Sequence, residues 1–381
     1  MKIVGIITEY NPFHNGHKRQ IEAVRAQFGE EVAIVSLMSG NFVQRGDFAL
    51  LSKEYRAMMA VKVGADLVLE LPYPYSGACA EVFASAGVSI LSDIGVDYLV
   101  FGSESGDIAY LNKTAKNLAD ARFEKRLAER AKEQPNRAYA LLRDEVYEEL
   151  FACLPPRKPN DILGVAYLSA IEKLNGNMQA VVVKREGFET ATASRAASFA
   201  SDFDSLGKLV PQDSFDLLKN NRLVSMKTIE KAILAFFRLS KSADFESIAD
   251  LPDGLSQRLI THSKKSTSLE ELLEASSTKV YTNARIGRCL LSCFLGVTEE
   301  MLHERPAFTR LLGATDRGRA VLNATDFVIL TRAGQYKQLD ERVQKQVLFA
   351  ECADSIYALA NENPPVNKPF VVQSGVFSEN Q

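Results

Sequence analysis

Short β-branched runs alternate with amphipathic stretches through the first hundred residues, the pattern that yields a parallel sheet covered by helices. KIVGIIT (2–8) reads as a buried strand, and the stretch from Gly16 to Phe28 as a helix with Ile21, Val24 and Phe28 on one face. AIVSLM (33–38) is a second strand. Ser52 offers a cap for a helix running through Tyr55, Met58, Met59 and Val63, and DLVLEL (66–71) returns as a third strand stopped by Pro72. Glu81 to Ile94 is again helical, DYLVFG (97–102) is a fourth strand and QAVVVK (179–184) a fifth. The long stretch between those two strands is rich in Arg, Lys and Glu and reads as solvated helix.

From about Leu206 the texture changes to helical periods such as MKTIEKAILAFFRLS and SLEELLEAS, with no further convincing strand. FVIL (327–330) is too short to count as one, and the residues from Asn361 to Gln381 read as weakly structured. The expected fold class is therefore α/β, a Rossmann-like parallel sheet over residues 1–205 followed by a mainly α-helical domain over 206–381. A chain of 381 residues is long enough for two cores, which fits that division.

With 46% hydrophobic and 24% charged residues the chain has the make-up of a folded globular protein, which excludes wholesale disorder. Its net charge of -3 supplies no global positive field, so a polyanionic partner would need a local basic patch. The opening MKIVGIITEYNPF has a short apolar run that ends at an acidic residue, unlike a signal peptide, and no stretch reaches the ~20 apolar residues of a membrane span. A cytoplasmic protein with no membrane partner is the expectation. The five cysteines are scattered and odd in number, which argues against a disulfide framework. Cys289 and Cys293, four apart in CLLSCFL, lie on one helix face; His262 and His303 have no zinc-like spacing to them, so buried thiols are expected and no metal site.

The chemistry concentrates in TEYNPFHNGH (8–17), between the first strand and the first helix. Ligands of open parallel sheets bind outside the carboxyl ends of the strands, where a helix start offers free N–H groups and a positive dipole end to a phosphate. Gly16 lets the backbone approach that phosphate, while His14 and His17 can donate to oxygens that gain charge during displacement at phosphorus. A histidine held cationic beside a triphosphate would stabilise more strongly. The bland alternative is a helix cap and a turn filler. Two of the chain's four histidines three residues apart at a strand-to-helix turn favour the chemical reading.

TEYNPFHNGH resembles the extended signature of the HxGH nucleotidyltransferases. MSGNFVQRGDFALLSKEYRA (38–57), DLVLELPYPY (66–75), FGSESGD (101–107), PNDILGVAYL (159–168) and TKVYTNARIGR (278–288) are similar, in order and spacing, to blocks of the tRNA(Met) cytidine acetate ligase family. The resemblance implies a nucleotidyltransferase sheet with a helical C-terminal domain. It implies a ligase that forms acetyl adenylate from acetate and ATP, the latter with Mg²⁺, and acetylates the wobble cytidine of elongator tRNA(Met). It carries ATP binding onto Ile7, Thr8, Glu9, Tyr10, Asn11, Pro12, Phe13, His14, Asn15, Gly16, His17, Lys18, Arg19 and Gln20, and onto Gly102, Asn160 and Arg185. His14 and His17 would be catalytic. The basic residues Lys279, Arg285 and Arg288, with Tyr281 among them, would meet the tRNA, as would Lys264, Lys265, Arg310, Arg317 and Arg319.

One departure stands out. Members of the superfamily carry a late Ser-Thr-x-x-Arg-like segment that contacts the triphosphate; here the stretch is ATASRAA (191–197), with Ala197 at the arginine position and Arg195 two residues earlier. Arg195 substituting from a shifted register, weakened ATP affinity and lost activity are the three readings. Two rival functions follow: a transferase moving AMP or CMP onto a small acceptor, and an inactive tRNA-binding module.

Overall fold

The computed structural model describes residues 1–134, 137, 139–174, 176–185, 187, 190–278 and 281–361; the expected weak structure of 362–381 lies outside these. The five expected strands form within a residue or two of their sequence bounds: β1 (Ile3–Thr8), β2 (Ala33–Ser39), β5 (Leu67–Leu71), β6 (Tyr98–Ser103) and β7 (Gln179–Lys184). A small antiparallel hairpin, β3 (Phe42–Val43) with β4 (Asp47–Phe48), interrupts them. The main sheet has the order β7-β6-β1-β2-β5-β8-β9, all parallel from β7 to β5.

β8 (Thr309–Ala314) and β9 (Ile329–Leu330) correct the expectation that no strand follows residue 206. β8 lies antiparallel against β5 and β9 parallel to β8. Leu311 packs into the core on one face of the sheet and Leu312 against the core on the other, so TRLLGA is buried on both sides and lacks the alternation of a half-exposed strand. FVIL, set aside as too short, contains β9.

Among the described residues, eight α-helices form up to Phe199. α1 (Asn15–Phe28) and α2 (Lys53–Val63) cover one face, where Ile21, Val24, Met59 and Ala60 meet Val4, Ile6 and Ile34. α3 (Ala80–Ile94) covers the other, packed on α7 (Pro159–Leu174). α4 (Ile108–Leu118), α5 (Ala121–Glu133) and α6 (Tyr139–Phe151) make up, with α7, the charged stretch between β6 and β7, and α8 (Ala191–Phe199) follows β7. Ser52 stands at the start of α2, but its side chain makes no capping bond.

The later helices are α9 (Phe203–Leu209), α10 (Gln212–Asn220), α11 (Glu230–Leu239), α12 (Leu255–Ser263), α13 (Leu269–Ser276), α14 (Asn283–Leu295), α15 (Glu299–His303), α16 (Asp316–Leu322) and α17 (Glu341–Ala360). A separate core gathers Ile233, Phe237, Leu259, Leu272, Ile286 and Leu290 from α11 to α14, Tyr357 from α17, and Phe42 and Phe48 from the hairpin. Cys289 and Cys293 are buried thiols on α14, each pushed up to about 12 by burial. Among the described residues no helix is long and apolar enough to cross a membrane.

Charge, not only apolar contact, ties the late segments to the sheet. Lys53 of α2 pairs with Glu70 of β5 at 2.8 Å and with Asp354 of α17 at 2.6 Å. Arg310 of β8 reaches Glu70 at 3.4 Å and Asp354 at 3.7 Å. Lys53, Glu70 and Arg310 are almost wholly buried. Burial alone would depress the Lys53 ammonium; Asp354 and Glu70 outweigh it and hold it above its ordinary range. Removing one member of such a network leaves an uncompensated buried charge. Glu70→Gln is therefore expected to lower the free energy of unfolding by about 3 kcal/mol, read from denaturant titration; an unchanged unfolding midpoint would show that the network contributes nothing.

Candidate active site

Chain order places the site. From β1 the sheet grows through β2 to β5 on one side and, after the return to β6, through β7 on the other, so the carboxyl ends of β1 and β6 flank a topological switch point. The loop from Thr8 to His14 leaves β1 there, and Gly102 sits near the end of β6.

The loop is rigidly held. Tyr10 is in the left-handed region (φ 46°) and its hydroxyl bonds Ser36 Oγ of β2 at 3.0 Å. The Asn11–Pro12 peptide is cis, and Asn11 Oδ1 accepts from Leu50 N at 2.9 Å. Glu9 Oε1 accepts from Gln44 N at 2.8 Å. Buried beneath the loop, Arg56 of α2 donates to Glu9 O at 2.7 Å, Ser39 O at 3.0 Å and Leu51 O at 2.9 Å, and to Gly40 O. Arg56 was not singled out from the sequence.

His14 is the N-cap of α1, and its Nδ1 accepts from Gly16 N at 3.1 Å. His17 Nδ1 accepts from His14 N at 3.2 Å, and the two rings stack with centroids 3.6 Å apart. An Nδ1 that accepts carries no proton, so both neutral imidazoles hold their hydrogen on Nε2, on the side away from the backbone. Two Nε2–H donors thus stand at a helix N-terminus, the arrangement that suits charge developing on phosphate oxygens.

His17 is also packed by Tyr10 (4.9 Å) and Phe13 (5.5 Å). Desolvation by these rings, then the proximity of His14 and of Arg185, depresses its pKa well below the ordinary imidazole value. In the ligand-free site burial thus favours the neutral imidazole of His17; the expectation of a cation concerns a site holding the triphosphate. Only an incoming polyanion would raise it again.

Of the other expected residues, Arg185 lies across Gly102: a Cβ at Gly102 would fall 3.2 Å from Arg185 Cγ. These two and His17 are thus brought together. Asn160, in the first turn of α7, is near the same edge, but its amide is held by Glu104 Oε1 at 2.5 Å. Glu104 also accepts from Asp161 N at 3.0 Å, and Asp161 accepts from Ser103 Oγ and Ser105 N, a cluster that sequence reasoning did not single out. Gln20 Nε2 donates to Val100 O at 3.3 Å; Asn15 Nδ2 donates to Lys208 O at 3.1 Å; Lys18 and Arg19 are exposed.

Arg195 reaches the loop from α8, donating to Asn11 O at 2.8 Å. Ala197 faces away into a core with Leu51, Leu206 and Leu209. Arg195, not Ala197, thus stands at the loop that follows β1.

The expected RNA-contacting residues do not form one face. Arg310 is buried in the ion network described above, which removes it. Arg317 bonds Asp66 at 3.2 Å and Arg319 pairs with Asp316 at 3.2 Å. Arg285 pairs with Asp250 at 2.9 Å and lies over the Tyr281 ring at 5.3 Å; Arg288 donates to Gln44 O at 3.2 Å. Lys264 and Lys265 are exposed, and Lys279 lies outside the described residues.

The depressed His17 has a pH consequence. An unfolded imidazole titrates near 6.5, the folded one lower, so between the two the unfolded chain binds the additional proton. His17's contribution to stability is full above that ordinary value and is lost as the pH falls through its folded pKa. NMR titration should place the His17 midpoint clearly below 6.5; a midpoint at or above it would refute the packing argument.

Comparison with known proteins agrees with this geometry. The HIGH Nucleotidyl Transferase family model matches residues 1–369. A tRNA(Met) cytidine acetate ligase of Syntrophotalea carbinolica is 35% identical over 85% of this chain and 82% of its own length, and one of Caldicellulosiruptor saccharolyticus is 36% identical over 85% of each. The crystal structure of Thermotoga maritima TmcAL bound with alpha-thio ATP superposes with a TM-score of 0.88 at 30% identity, over 96% of both chains. A fold with the HxGH loop at its switch point, matched along nearly its whole length by these proteins, belongs to the tRNA(Met) cytidine acetate ligase family of HIGH nucleotidyl transferases.

Proposed function

We propose that the chain joins acetate to ATP, forming acetyl adenylate and releasing pyrophosphate, and then acetylates the wobble cytidine of elongator tRNA(Met) at N4. The observation that carries this reading is the pair of stacked imidazoles at the start of α1, each with its hydrogen on Nε2. In the first step an acetate oxygen attacks the α-phosphorus and the bond to pyrophosphate breaks, so negative charge grows on the phosphate oxygens. His14, His17 and the N–H groups of the α1 start would bind that charge, with Arg185 and Arg195 beside them. In the second step the cytidine N4 attacks the acetyl carbonyl, AMP leaves and N4 loses a proton.

Mg²⁺ is assigned to the triphosphate, whose oxygens are its preferred hard ligands. The fixed loop of Ile7 to Gln20, with Gly102, Asn160 and Arg185, is assigned to ATP. Phosphates of the RNA are assigned to Lys264, Lys265, Lys279, Arg285 and Arg288. With a tRNA acceptor, the reaction is assigned to the cytoplasm. The inactive-module reading drew on Ala197 alone, and Arg195 at the loop weighs against it.

Exchange of labelled pyrophosphate into ATP, dependent on acetate and independent of RNA, tests the first step. His14→Ala and His17→Ala should each slow it roughly 100-fold without unfolding the protein. Near-wild-type exchange in both variants would overturn the site, and exchange that ignores acetate would favour a different acceptor. Nucleoside analysis of the RNA for acetylcytidine tests the second step.

A further inference from the structure

The β3–β4 hairpin is docked on two sides through the backbone of one residue, Gln44. Gln44 N donates to Glu9 Oε1 at 2.8 Å, inside the nucleotide loop, and Gln44 O accepts from Arg288 of α14 at 3.2 Å. The hairpin meets α14 backbone on backbone. Gly46 has φ +73°, and a Cβ on it would fall 2.2 Å from Arg288 N; a Cβ on Gly287 would fall 2.8 Å from Gly46 O. α14 is itself fixed by the buried Ile286, Cys289 and Leu290 and by the Arg285–Asp250 pair. The position of the Glu9 carboxylate is therefore referred to a helix of the other core.

Glu9 is the one acidic side chain in the loop from Ile7 to Gln20. A carboxylate in a loop that receives a polyphosphate repels it unless it is held aside or neutralised. The Gln44 N–H holds it, and the charge of Arg195 lies close enough to feel it. We propose that Arg288 is a positioning residue for nucleotide binding: through the Gln44 backbone it keeps the Glu9 carboxylate turned away from the phosphates. This inference rests on the ATP-binding part of the reading above and reassigns Arg288 from RNA contact to the loop.

The test uses the full chain without RNA. Arg288→Met removes the donor to Gln44 O, and Gly46→Ala lifts the hairpin off α14 while leaving every charge in place. Both should weaken ATP affinity, measured by calorimetry, by about tenfold, and Arg288→Lys should restore part of it. Gly46→Ala should leave affinity for the tRNA unchanged, because no cation is lost. A variant that merely loses folded protein would show fewer binding sites at unchanged affinity, which counts against the proposal.

Wild-type ATP affinity in both variants, with RNA binding weakened only in Arg288→Met, would make Arg288 an RNA contact and overturn the inference. Should Gly46→Ala fail to fold, the contrast between Arg288→Met and Arg288→Lys decides. If wild-type protein shows no acetate-dependent exchange but ATP affinity responds as expected, the acetate reading fails and the positioning role stands.

Discussion

The carboxyl edge of a parallel sheet is where its strands run out of partners, and carbonyl groups left there must be satisfied by something other than the next strand. In this protein Arg56 meets that requirement. Its guanidinium gathers the carbonyls of Glu9, Ser39, Gly40 and Leu51 into one planar fan, pulling together the segments that leave β1 and β2. Burial lowers its pKa from the ordinary guanidinium value, and even so it stays charged at any physiological pH. Everything above it, from the left-handed Tyr10 to the stacked imidazoles, is laid on that platform. A lysine could not replace it, since one ammonium cannot span four acceptors set around a plane.

The second constraint is the buried network of Lys53, Glu70, Arg310 and Asp354. It draws together α2, β5, β8 and α17, elements from both ends of the chain. Such networks specify an arrangement more than they stabilise it, because each charge has been taken out of water and is tolerable only when its partners are in place. An alternative docking of α17 or a slipped β8 would leave Lys53 or Glu70 unpaired in the interior. The helical core and the sheet are thus registered against each other by charge, and the hairpin that touches both inherits that registration.

Much of this could be read in the sequence where local pattern and tertiary role coincide. β1, β2, β5 and β6 are apolar runs of five to seven residues bounded by breakers, and α1 and α3 carry their apolar stripes openly. His14, Gly16 and His17 could be read because their chemistry needs them at one turn. Lys53 and Arg56 could not: in KEYRAMM they have the look of the solvated side of a helix, and only distant carbonyls and carboxylates make their burial affordable. β8 escaped for a related reason, since the second residue of TRLLGA is an arginine whose counter-charges lie on β5 and α17. The hairpin left a faint signal, FV and DF flanking a turn with Gly46, but strands of two residues fall below any periodicity. Arg310 shows the same error from the other side, a cation counted as surface although Phe308, Leu311 and Leu312 beside it are apolar and it is itself buried.

The place of β8 bears on how the molecule comes into being. Leu67 of β5 pairs with Ala314 of β8, so the strand that covers this side of the parallel sheet is made long after β5 itself. While the ribosome is still producing the helical segments, β5 presents an open row of amide and carbonyl groups and an apolar surface on both faces, the kind of edge that recruits foreign strands. Contacts between such remote residues also form slowly, because the loop that joins them must close first. Glu70, carried on that edge, is a charged residue of the kind that discourages foreign strands, and the correct strand brings it the Arg310 guanidinium at 3.4 Å.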